Sequence, residues 1–406
     1  MELLRNYVCY VPTLRFKKYD TNWDRKKLSD YVKKITRKNS NNVIKNVICN
    51  SAQNGLIPQL DFFDKEIANN ENTAGYYIIS NGDFVYNPRK SLSAPYGPVN
   101  IYKYDSDGIV SPLYLCFSVD DCINKSFLLQ RFKSPCWYRY IYLNGDSGAR
   151  HDRVSIKDEV FLSQPINLPK AEEQAAIAEF LEKIDERISV QNKIISDLKV
   201  LKKEIMDYIL NTCDFMELSI KDLIDCGFAR IIKASEMKKF NGTRKYLSTS
   251  SIGENGIEQV ESIITYTDRP SRASMLPIKG SIWFAKMKNS VKVYQSTDDD
   301  ENLYILSTGF YGLLCDETKV NSHWIIELFK SDYFNTQKDK FSEGSSMSGI
   351  KDSQLADITL KVFADKKQEK YHTNNIQNLS KKIQLEKNAL EVLLKQKQFF
   401  LNAMFI

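Results

Sequence analysis

The sequence of 406 residues has no long hydrophobic run: no segment approaches the roughly 18 consecutive apolar residues that a transmembrane helix requires. The segment MELLRNYVCYVPTLRFKKYD also lacks the apolar stretch and the cleavage site of a signal peptide. Cysteine and histidine are scarce, with 8 cysteines, 3 histidines and no CxxC pair or zinc-binding spacing. We therefore expect a cytoplasmic protein with reduced thiols, no metal site and no membrane contact.

A strong excess of one charge sign is also absent, because 57 Lys and Arg residues face 51 Asp and Glu residues and leave a net charge of +6. This balance permits nucleic-acid binding without requiring it, since the clustering of charge on a surface matters more than the total. The carboxylates of Asp61 and Asp64 and of the run 298–301 have no companion lysine in a nuclease-like spacing. We predict that these carboxylates are solvated surface.

What the sequence does contain is a long helical pattern from Leu168 to Leu210. Pro169 suits a first helical turn, and Glu172 and Glu173 place negative charge at the positive end of the helix dipole. The apolar positions up to Leu198 follow one another in steps of about four and three, and those from Leu201 onward continue the pattern after a phase slip, which predicts a coiled-coil seam. The seam positions are Ile177, Leu181, Ile184, Ile188, Ile195, Leu198, Leu201, Ile205, Tyr208 and Ile209.

A similar helical pattern recurs about 195 residues later, from Lys366 to Phe400. It indicates an internal duplication, because shorter matches stand in the same order in both halves. The matched pairs are Asn54-Gly55 with Asn255-Gly256, Gly82 with Gly280, residues 156–158 with 350–352, and Gln174 with Gln368. The second seam runs through Ile376, Leu379, Ile383, Leu390 and Leu393.

The chain is longer than one hydrophobic core usually serves, and its apolar residues outside the helices come in short β-like runs. We predict an α+β protein with a pseudo-two-fold internal repeat, in which two domains of mixed α/β structure are joined by two long helices that form an antiparallel coiled coil. The expected segments are a domain over 1–167, a helix over 168–213, a domain over 214–363 and a helix over 364–406.

Two similar domains on a stiff helical spacer suit a target that itself repeats at a fixed interval. A helix of around 40 residues, at about 1.5 Å per residue, is roughly 60 Å long. Duplex DNA is one such target, with a turn of about 34 Å. A scaffold whose two lobes bind protein partners would have the same plan, and the pattern of helices and domains alone leaves both functions open.

Two groups of residues resemble a known family. Leu168-Pro169 through Glu173-Gln174, followed by Phe180-Leu181 and Ile184-Asp185, resembles the first conserved helix of type I restriction-modification specificity subunits. The N-terminal segment is similar to that family's entry into its first target-recognition domain, at Pro12, Leu14-Arg15-Phe16, Trp23 and Lys27-Leu28. The likeness covers the whole chain in order. The second helix departs from the family's Pro-x-x-x-Glu-Gln entry, since only Gln368 matches there.

The resemblance implies a subunit that does no chemistry itself. Family members read an asymmetric, bipartite sequence in double-stranded DNA, one half per recognition domain, and deliver it to two modification subunits that methylate adenine. S-adenosylmethionine, ATP and Mg would belong to partner subunits, with no cofactor in this chain. The resemblance leaves open whether restriction subunits, the motor and nuclease, also join.

Motifs for that chemistry are missing from the sequence. An adenine methyltransferase would need a Gly-rich cofactor loop and an Asn/Asp-Pro-Pro-aromatic motif to grip a flipped base, but here Asn87-Pro88 is followed by Arg89. A phosphate loop of the form GxxxxGK[ST] is also missing. A methyltransferase is therefore disfavoured, and the non-enzymatic specificity subunit remains the leading hypothesis, with the scaffold as the alternative.

Candidate DNA contacts are polar and basic residues on loops, because Arg, Lys, Asn, Gln and Ser read base edges or grip phosphates. In the first half they are Ser51, Gln53, Asn54, Arg89, Lys90, Ser91, Arg150 and Arg153. In the second half they are Ser250, Ser251, Arg269, Arg272, Lys286, Lys288, Asn289, Ser345 and Ser346. For any single one of these residues a solvated loop residue is the better interpretation, so the prediction rests on the groups at equivalent positions in both halves.

Aromatic residues near these loops, such as Phe84, Tyr86 and Trp283, alternate or cluster as strand residues do. We expect them to pack in the core and not to stack on bases.

The outward faces of the helices are the predicted docking surface for the modification subunits. A two-helix rod would leave Phe180, Ile194, Ile209 and Leu394 incompletely covered.

Overall fold

The structure is a computed structural model that describes residues 11–59, 73–147, 152–254, 256–341 and 350–406. Within these ranges the chain forms two compact units. Unit 1 contains residues up to 193 together with 388–406, and unit 2 contains residues 194–387.

Unit 1 is a mixed α/β unit whose strands are short and mostly antiparallel. Its strands are β1 Asp24–Lys27, β2 Val32–Lys34, β3 Ile48–Ser51, β4 Gly55–Pro58, β5 Tyr77–Ile79, β6 Phe84–Tyr86, β7 Val99–Ile101, β8 Gly108–Val110, β9 Leu115–Val119, β10 Asp146–Ser147, β11 Val154–Ser155 and β12 Pro165–Leu168. Its α-helices are α1 Lys125–Lys133, α2 Tyr138–Asn144, α3 Asp158–Leu162 and the first part of α4 Ala171–Thr212, with short 3-10 helices at Leu28–Asp30 and Pro135–Trp137.

The central sheet of unit 1 has the strand order β2-β9-β6-β7. Strand β6 is buried along its whole length, because Phe84 and Tyr86 face one core while Val85 faces another. The Phe84 ring stacks on Phe117 of β9 at 5.5 Å between centroids. The expectation that the aromatic residues pack in the core is confirmed, since Phe84, Tyr86 and Trp283 are almost fully buried.

Unit 2 repeats this plan. Its strands are β13 Phe215–Ser219, β14 Ala229–Ile231, β15 Arg244–Leu247, β16 Ile252–Gly253, β17 Gly256–Ile257, β18 Ser262–Ile264, β19 Ala273–Met275, β20 Ile282–Ala285, β21 Val293–Gln295, β22 Tyr304–Ser307, β23 Phe310–Cys315 and β24 Thr359–Phe363. Its α-helices, besides the second part of α4, are α5 Ile220–Asp225, α6 Asp300–Leu303, α7 Ser322–Lys330, α8 Asp332–Lys340, α9 Asp352–Leu355 and α10 Lys366–Met404, with 3-10 helices at Ala234–Glu236 and Thr249–Ser251.

The sheets show the duplication directly. The order β14-β23-β20-β21 in unit 2 matches β2-β9-β6-β7 in unit 1. In each unit the strand that precedes a long helix pairs antiparallel with an earlier strand, β12 with β1 and β24 with β13. Gly82 and Gly280 precede the central strands β6 and β20 with φ angles of 88° and 75°, a conformation that favours glycine. The predicted internal repeat and α+β class are confirmed.

Both long helices lie where the sequence predicted them, and they pack antiparallel within each unit. In unit 1 the ring of Phe180 meets Phe400 edge-on at 4.9 Å. In unit 2 the sulfur of Cys213, the residue directly after α4, lies 3.5 Å from His372 Nε2 of α10. The helices α4 and α10 have 42 and 39 residues. The three boundaries between the four predicted segments stay predictions.

The start of α4 explains why Glu173 and Gln174 stand together. Glu173 is fully buried and accepts hydrogen bonds from Arg15 Nε at 2.6 Å and Trp23 Nε1 at 3.3 Å. Gln174 Oε1 accepts the backbone N–H of Asn124, the residue that caps α1. These contacts attach the helix start to the N-terminal segment and to α1.

The sequence match of Gln174 with Gln368 was wrong by one residue. Glu369 occupies the equivalent place, because its Oε1 accepts the backbone N–H of Asn321, the cap of α7, at 2.9 Å. The order Glu-Gln in the first half is thus Gln-Glu in the second, and the buried glutamate of α10 pairs with Lys366 Nζ at 2.6 Å.

Two further predictions about α4 and its seam need correction. Leu201 and Tyr208 are exposed, while Met206 and Leu210 are buried beside Ile209. The reason is that the last turns of α4 pack into the core of unit 2, which changes the buried face. Of the predicted uncovered residues, Ile194 and Leu394 are exposed, but Ile209 is buried and Phe180 is covered by Phe16 and Phe400.

The prediction that the acidic run 298–301 is solvated surface is wrong at one position. Asp300 is buried and accepts a hydrogen bond from the Tyr294 hydroxyl, whereas Asp298 forms a surface ion pair with Lys279 at 3.0 Å. Asp61 and Asp64 lie outside the described residues.

Seven cysteines lie within the described residues and all are free thiols, while Cys9 lies outside them. In the same part of the chain, no helix is long and apolar enough to cross a membrane.

Candidate DNA interface

The first part of the candidate interface in unit 1 is the tight turn between β3 and β4. The Ser51 hydroxyl accepts the backbone N–H groups of Gln53 at 3.3 Å and Asn54 at 3.2 Å. Gly55 follows with a φ of 74°, as such a turn requires. Ser51 therefore builds the turn, and the exposed side chains of Gln53 and Asn54 are left at its tip.

A cluster of asparagine amides fixes this turn on the central sheet. Asn50 is buried and its Nδ2 donates to the Val85 carbonyl at 2.8 Å. Asn100 Nδ2 donates to Asn50 Oδ1 at 2.7 Å, and Asn87 Nδ2 donates to the Asn50 carbonyl at 3.1 Å. Buried amides that are satisfied in this way hold one conformation, because breaking any bond would leave an unpaired polar group.

The loop after β6 lies next to the turn and carries the basic residues. Asn87 Oδ1 accepts the backbone N–H of Arg89 at 3.0 Å, which links this loop to the amide cluster. Arg89 pairs across the backbone with Arg153, and the Lys90 N–H donates to the Asp152 carbonyl at 2.8 Å. Residues far apart in sequence thus form one basic surface.

The side chains on this surface differ in their exposure to solvent and in their hydrogen-bond partners. Arg89 is 67% exposed, and its ion pair with Asp152 is long, at 3.6 Å. Such an exposed pair is weak. The Nε atom of Arg153 is buried without a hydrogen-bond partner among the described residues. The Ser91 hydroxyl accepts the N–H of Ala94 at 3.1 Å, so Ser91 shapes the loop.

In unit 2 the counterpart of the β3–β4 hairpin is the β16–β17 hairpin, and the 3-10 turn Thr249–Ser251 comes directly before it. Ser250 is exposed at its tip, and Glu261 accepts the Ser248 hydroxyl at 2.8 Å. Ser251 is fully buried and its hydroxyl accepts the Ser248 N–H at 3.0 Å. The structure therefore places Ser251 out of reach of a ligand, and Ser250 is the accessible hydroxyl.

The loop after β20 is the basic loop of unit 2. Lys286 is largely buried and paired with Asp352 at 2.9 Å, whereas Lys288 is exposed. Asn289 has a φ of 53°, and its N–H donates to Asp339 Oδ1 at 3.1 Å. This left-handed conformation is uncommon for a residue with a side chain, and such residues concentrate at functional sites.

Three hydrogen bonds join the neighbouring segments of unit 2. Lys292 Nζ donates to the Thr249 carbonyl at 2.8 Å, which connects the basic loop with the turn. The carbonyl of Arg272 accepts the N–H of Thr308 at 2.9 Å, and the next residue, Gly309, accepts the N–H of Lys286. Arg272 is exposed. These contacts assemble Ser250, Arg272 and Lys288 on neighbouring loops.

Arg269 lies apart from this assembly. Its guanidinium is 4.1 Å from the centroid of the Tyr266 ring and donates to the Tyr266 carbonyl. Arg150, Ser345 and Ser346 lie outside the described residues.

Lys103 and Tyr104 were not among the residues predicted from the sequence. Both are exposed and, together with Gln53, Asn54 and Asn100, they line a cavity of about 380 Å³ beside the first turn. A basic and an aromatic residue in the loop after strand β7 are the sequence signal that could have identified them, because basic and aromatic side chains both bind nucleic acids.

The exposed side chains of these turns and loops are of the kinds that bind nucleic acids. Exposed cations suit phosphates, and exposed amides and hydroxyls suit base edges. Within the described ranges, no group of three or more His, Cys, Asp or Glu residues could hold a metal ion. Asn87 is buried with its amide engaged by Asn50, so it belongs to the scaffold of the loop.

The chain as a whole is similar to known proteins. The sequence profile of the family described as "Type I restriction modification DNA specificity domain" matches residues 21–200. A crystal structure of the type I restriction-modification system S subunit from M. genitalium is similar at 13% identity, with a TM-score of 0.56 over 98% of this chain and 99% of that one. No curated protein sequence matches the chain.

A second similar structure comes from work on complex assembly and conformational transition of a type I R-M system. It is 12% identical, with a TM-score of 0.55 over 94% of this chain and 98% of that one. At such identities the likeness concerns the fold, and it covers both units.

Proposed function

We propose that this chain, whose residues 21–200 match the type I restriction-modification DNA specificity domain, is a DNA specificity subunit of such a system and that each of its two units reads one half of an asymmetric, bipartite DNA site. The observation that carries the proposal is repeated in both units. In unit 1 the β3–β4 turn that exposes Gln53 and Asn54 is linked to the basic loop of Arg89. In unit 2 the 3-10 turn that exposes Ser250, directly before the equivalent hairpin, is linked to the basic loop of Lys288.

The two kinds of residue have different tasks in this proposal. Arg89, Lys90 and Lys288 bind phosphates, which supplies affinity and sets the register of the protein on the duplex. Gln53 and Asn54 carry amides that can donate to and accept from a base edge in the major groove, so they supply sequence preference. The amide cluster around Asn50 keeps the turn and the loop in one arrangement.

The chain itself is not proposed to be an enzyme. Adenine methylation and ATP-dependent cleavage are assigned to partner subunits, which would hold S-adenosylmethionine, ATP and Mg. The absence of a methyltransferase motif at Asn87-Pro88-Arg89 supports this assignment, as does the use of the Asn87 side chain inside the protein.

Modification subunits, two in number, are the proposed partners of the long helices. Helix α4 exposes Val190 and Val200, and α10 exposes Leu385, Val392 and Phe399, each more than half accessible. Exposed apolar residues in this number on two helices mark a surface that a partner covers.

The length of α4 and α10 is proposed to set the spacer between the two half-sites. Both helices contribute residues to both units, so a change in their length changes the register between the two reading surfaces.

The test is long-read mapping of methylated adenines in cells that express this chain with its modification subunit, against cells that lack only this chain. A new bipartite motif with a fixed gap is the expected result. If the complex assembles and no new methylation is found, the specificity function is contradicted and a protein scaffold becomes the better explanation.

A further inference from the structure

We call the turns of the β3–β4 and β16–β17 hairpins the reading turns of units 1 and 2. Beside the reading turn of unit 1 lies an ion cluster formed by Gln130, Lys133, Asp185 and Lys397. Asp185 of α4 accepts hydrogen bonds from Gln130 Nε2 at 2.9 Å and from Lys133 Nζ at 3.3 Å, both from α1. Lys397 of α10 forms an ion pair with the other carboxylate oxygen of Asp185. Asp185 is thus the carboxylate that joins three helices.

This carboxylate is held in its charged form. Burial by itself raises the pKa of Asp185, but the charges of Lys133 and Lys397 and the hydrogen bonds from Lys397 and Gln130 outweigh that effect and lower the pKa below its usual range. The Asp185 side chain is 31% exposed, so water screens these contacts in part.

Unit 2 contains a second cluster, formed by Glu327, Lys330, Ser380 and Lys202. Glu327 is buried on α7 and pairs with Lys202 Nζ of α4 at 2.6 Å. The Ser380 hydroxyl of α10 lies 3.5 Å from the other oxygen of Glu327. Lys330, at the end of α7, lines the same cavity as these three residues.

The two clusters occupy equivalent positions. Helices α1 and α7 each have 9 residues and an asparagine cap, and Gln130 and Glu327 are the sixth residue of each. Lys133 and Lys330 are the last residues of the same helices. Counted from Gln174 and Glu369, which bind those caps, Asp185 matches Ser380 and Lys202 matches Lys397.

The carboxylate therefore stands at different places in the two clusters. Unit 1 has Gln130 on the short helix and Asp185 on the long one, while unit 2 has Glu327 on the short helix and Ser380 on the long one. Gln130 Oε1 is buried without a hydrogen-bond partner among the described residues. If residue 130 were a glutamate, its carboxylate would occupy the position in unit 1 that corresponds to Glu327, which binds Lys202 in unit 2.

Both clusters border the reading turns. In unit 1, Lys133 lines the cavity of about 380 Å³ that Gln53 and Asn54 also line. In unit 2, a cavity of about 390 Å³ is lined by Lys202, Glu327 and Lys330 on one side and by Gly253 and Glu254 on the other. Gly253 and Glu254 belong to the β16–β17 hairpin, the counterpart of the β3–β4 hairpin that carries Gln53 and Asn54, so the clusters border the same element in each unit.

We propose that each cluster positions the reading turn of its own unit relative to the two long helices. Each cluster requires one carboxylate for this, and that carboxylate can belong either to the short helix or to the long helix. The cluster residues are positioning residues, since they act on DNA through the turn. The inference rests on the proposed DNA-reading function. Its physical basis is that two lysines placed together repel each other unless one carboxylate lies between them.

The experiment compares Asp185→Ser with the double variant Gln130→Glu/Asp185→Ser, which copies the arrangement of unit 2. Full-length protein, assembled with its modification subunits, is titrated with a duplex that carries the mapped motif. Two further duplexes have one or the other half-site scrambled. The reciprocal pair is Glu327→Gln and Glu327→Gln/Ser380→Asp, which gives unit 2 the arrangement of unit 1.

We expect Asp185→Ser to weaken binding to the intact motif about tenfold, as for residues coupled in one network. Scrambling the half-site read by unit 1 should then cost little further affinity, while scrambling the other half-site should cost as much as in the wild type. The double variant should recover most of the affinity. The reciprocal pair should show the same pattern for the other half-site.

The inference is overturned by a single variant that binds and discriminates like the wild type, or by a double variant no better than its single variant. A decrease that affects both half-sites equally also contradicts it, because that is the result of general destabilisation. If Asp185→Ser does not fold, Asp185→Asn keeps the amide contact to Gln130 and takes its place. Failure of the wild-type complex to bind the motif would instead contradict the proposed function.

Discussion

Arg89 and Lys90 are the residues on which the phosphate-binding proposal depends most. We predict that Arg89→Ala/Lys90→Ala weakens DNA binding and makes it less salt-dependent, by about one unit of the logarithmic salt slope for each phosphate that the variant no longer binds. The measurement is a titration of duplex DNA at several salt concentrations.

The matched control is Lys183→Ala/Lys395→Ala, which removes two lysines that pair along the helix surface with Glu179 and Glu391. This variant changes the net charge by the same amount without touching the proposed interface, so its salt slope should stay close to that of the wild type. Equal changes in the two variants would mean that Arg89 and Lys90 contribute only general charge.

At these positions the sequence alone gives the residue type, but it does not show whether the side chain is exposed or what the backbone pairs with. Arg89 and Arg153 were both candidates because they are basic and lie on loops, yet only the fold shows them paired across the backbone. Ser251 was a candidate beside Ser250, but the short 3-10 turn buries one hydroxyl and exposes the other. Which of two adjacent serines faces outward depends on backbone dihedral angles that composition does not reveal.

Among the larger elements, the loop after β6 depends on a single glycine. Gly97 has a φ of 85°, and a Cβ atom there would lie 2.0 Å from the Asn87 carbonyl oxygen. We predict that Gly97→Ala lowers stability by about 1–3 kcal/mol, because the chain must move to relieve the overlap. It should also weaken DNA binding, since Arg89 and Lys90 belong to this loop.

Thermal unfolding and DNA titration of the same preparations test the prediction. Gly75→Ala is the control, because a Cβ at Gly75 meets nothing within 4 Å. A Gly97 variant with the stability and affinity of the Gly75 variant would show that the loop does not need its present backbone conformation.

The long helices were the most predictable elements, since periodicity and the charged first turn fix a helix of this length almost by themselves. The buried face was harder to predict. A seam deduced from sequence assumes one partner along the whole helix, but the end of α4 packs with Met206 and Leu210 into the core of unit 2. Leu201 and Tyr208 are left exposed for that reason.

For the molecule as a whole, the proposed spacer function makes a numerical prediction. Removing four residues of α4 around Asn192, together with four residues of α10 around Leu390, shortens both helices by about 6 Å at 1.5 Å per residue. This corresponds to about two base pairs of duplex at 3.4 Å each. Methylation mapping should find the same two half-sites with a shorter gap.

An unchanged gap in the recognised motif would contradict the spacer proposal while leaving DNA reading intact. The matched double deletion is preferable to shortening α4 alone, because the helices pack antiparallel and a mismatch would strain the pairing of Phe180 with Phe400.

The division of the chain into units also dictates an order of events at the ribosome. Unit 2 is contiguous, so all of its residues have been synthesised when residue 387 is added. Unit 1 must wait for residues 388–406, whose Leu401, Met404 and Phe405 belong to its core. The unit translated first is therefore the last to be completed, and the apolar surface around Phe127 stays uncovered until Phe405 arrives.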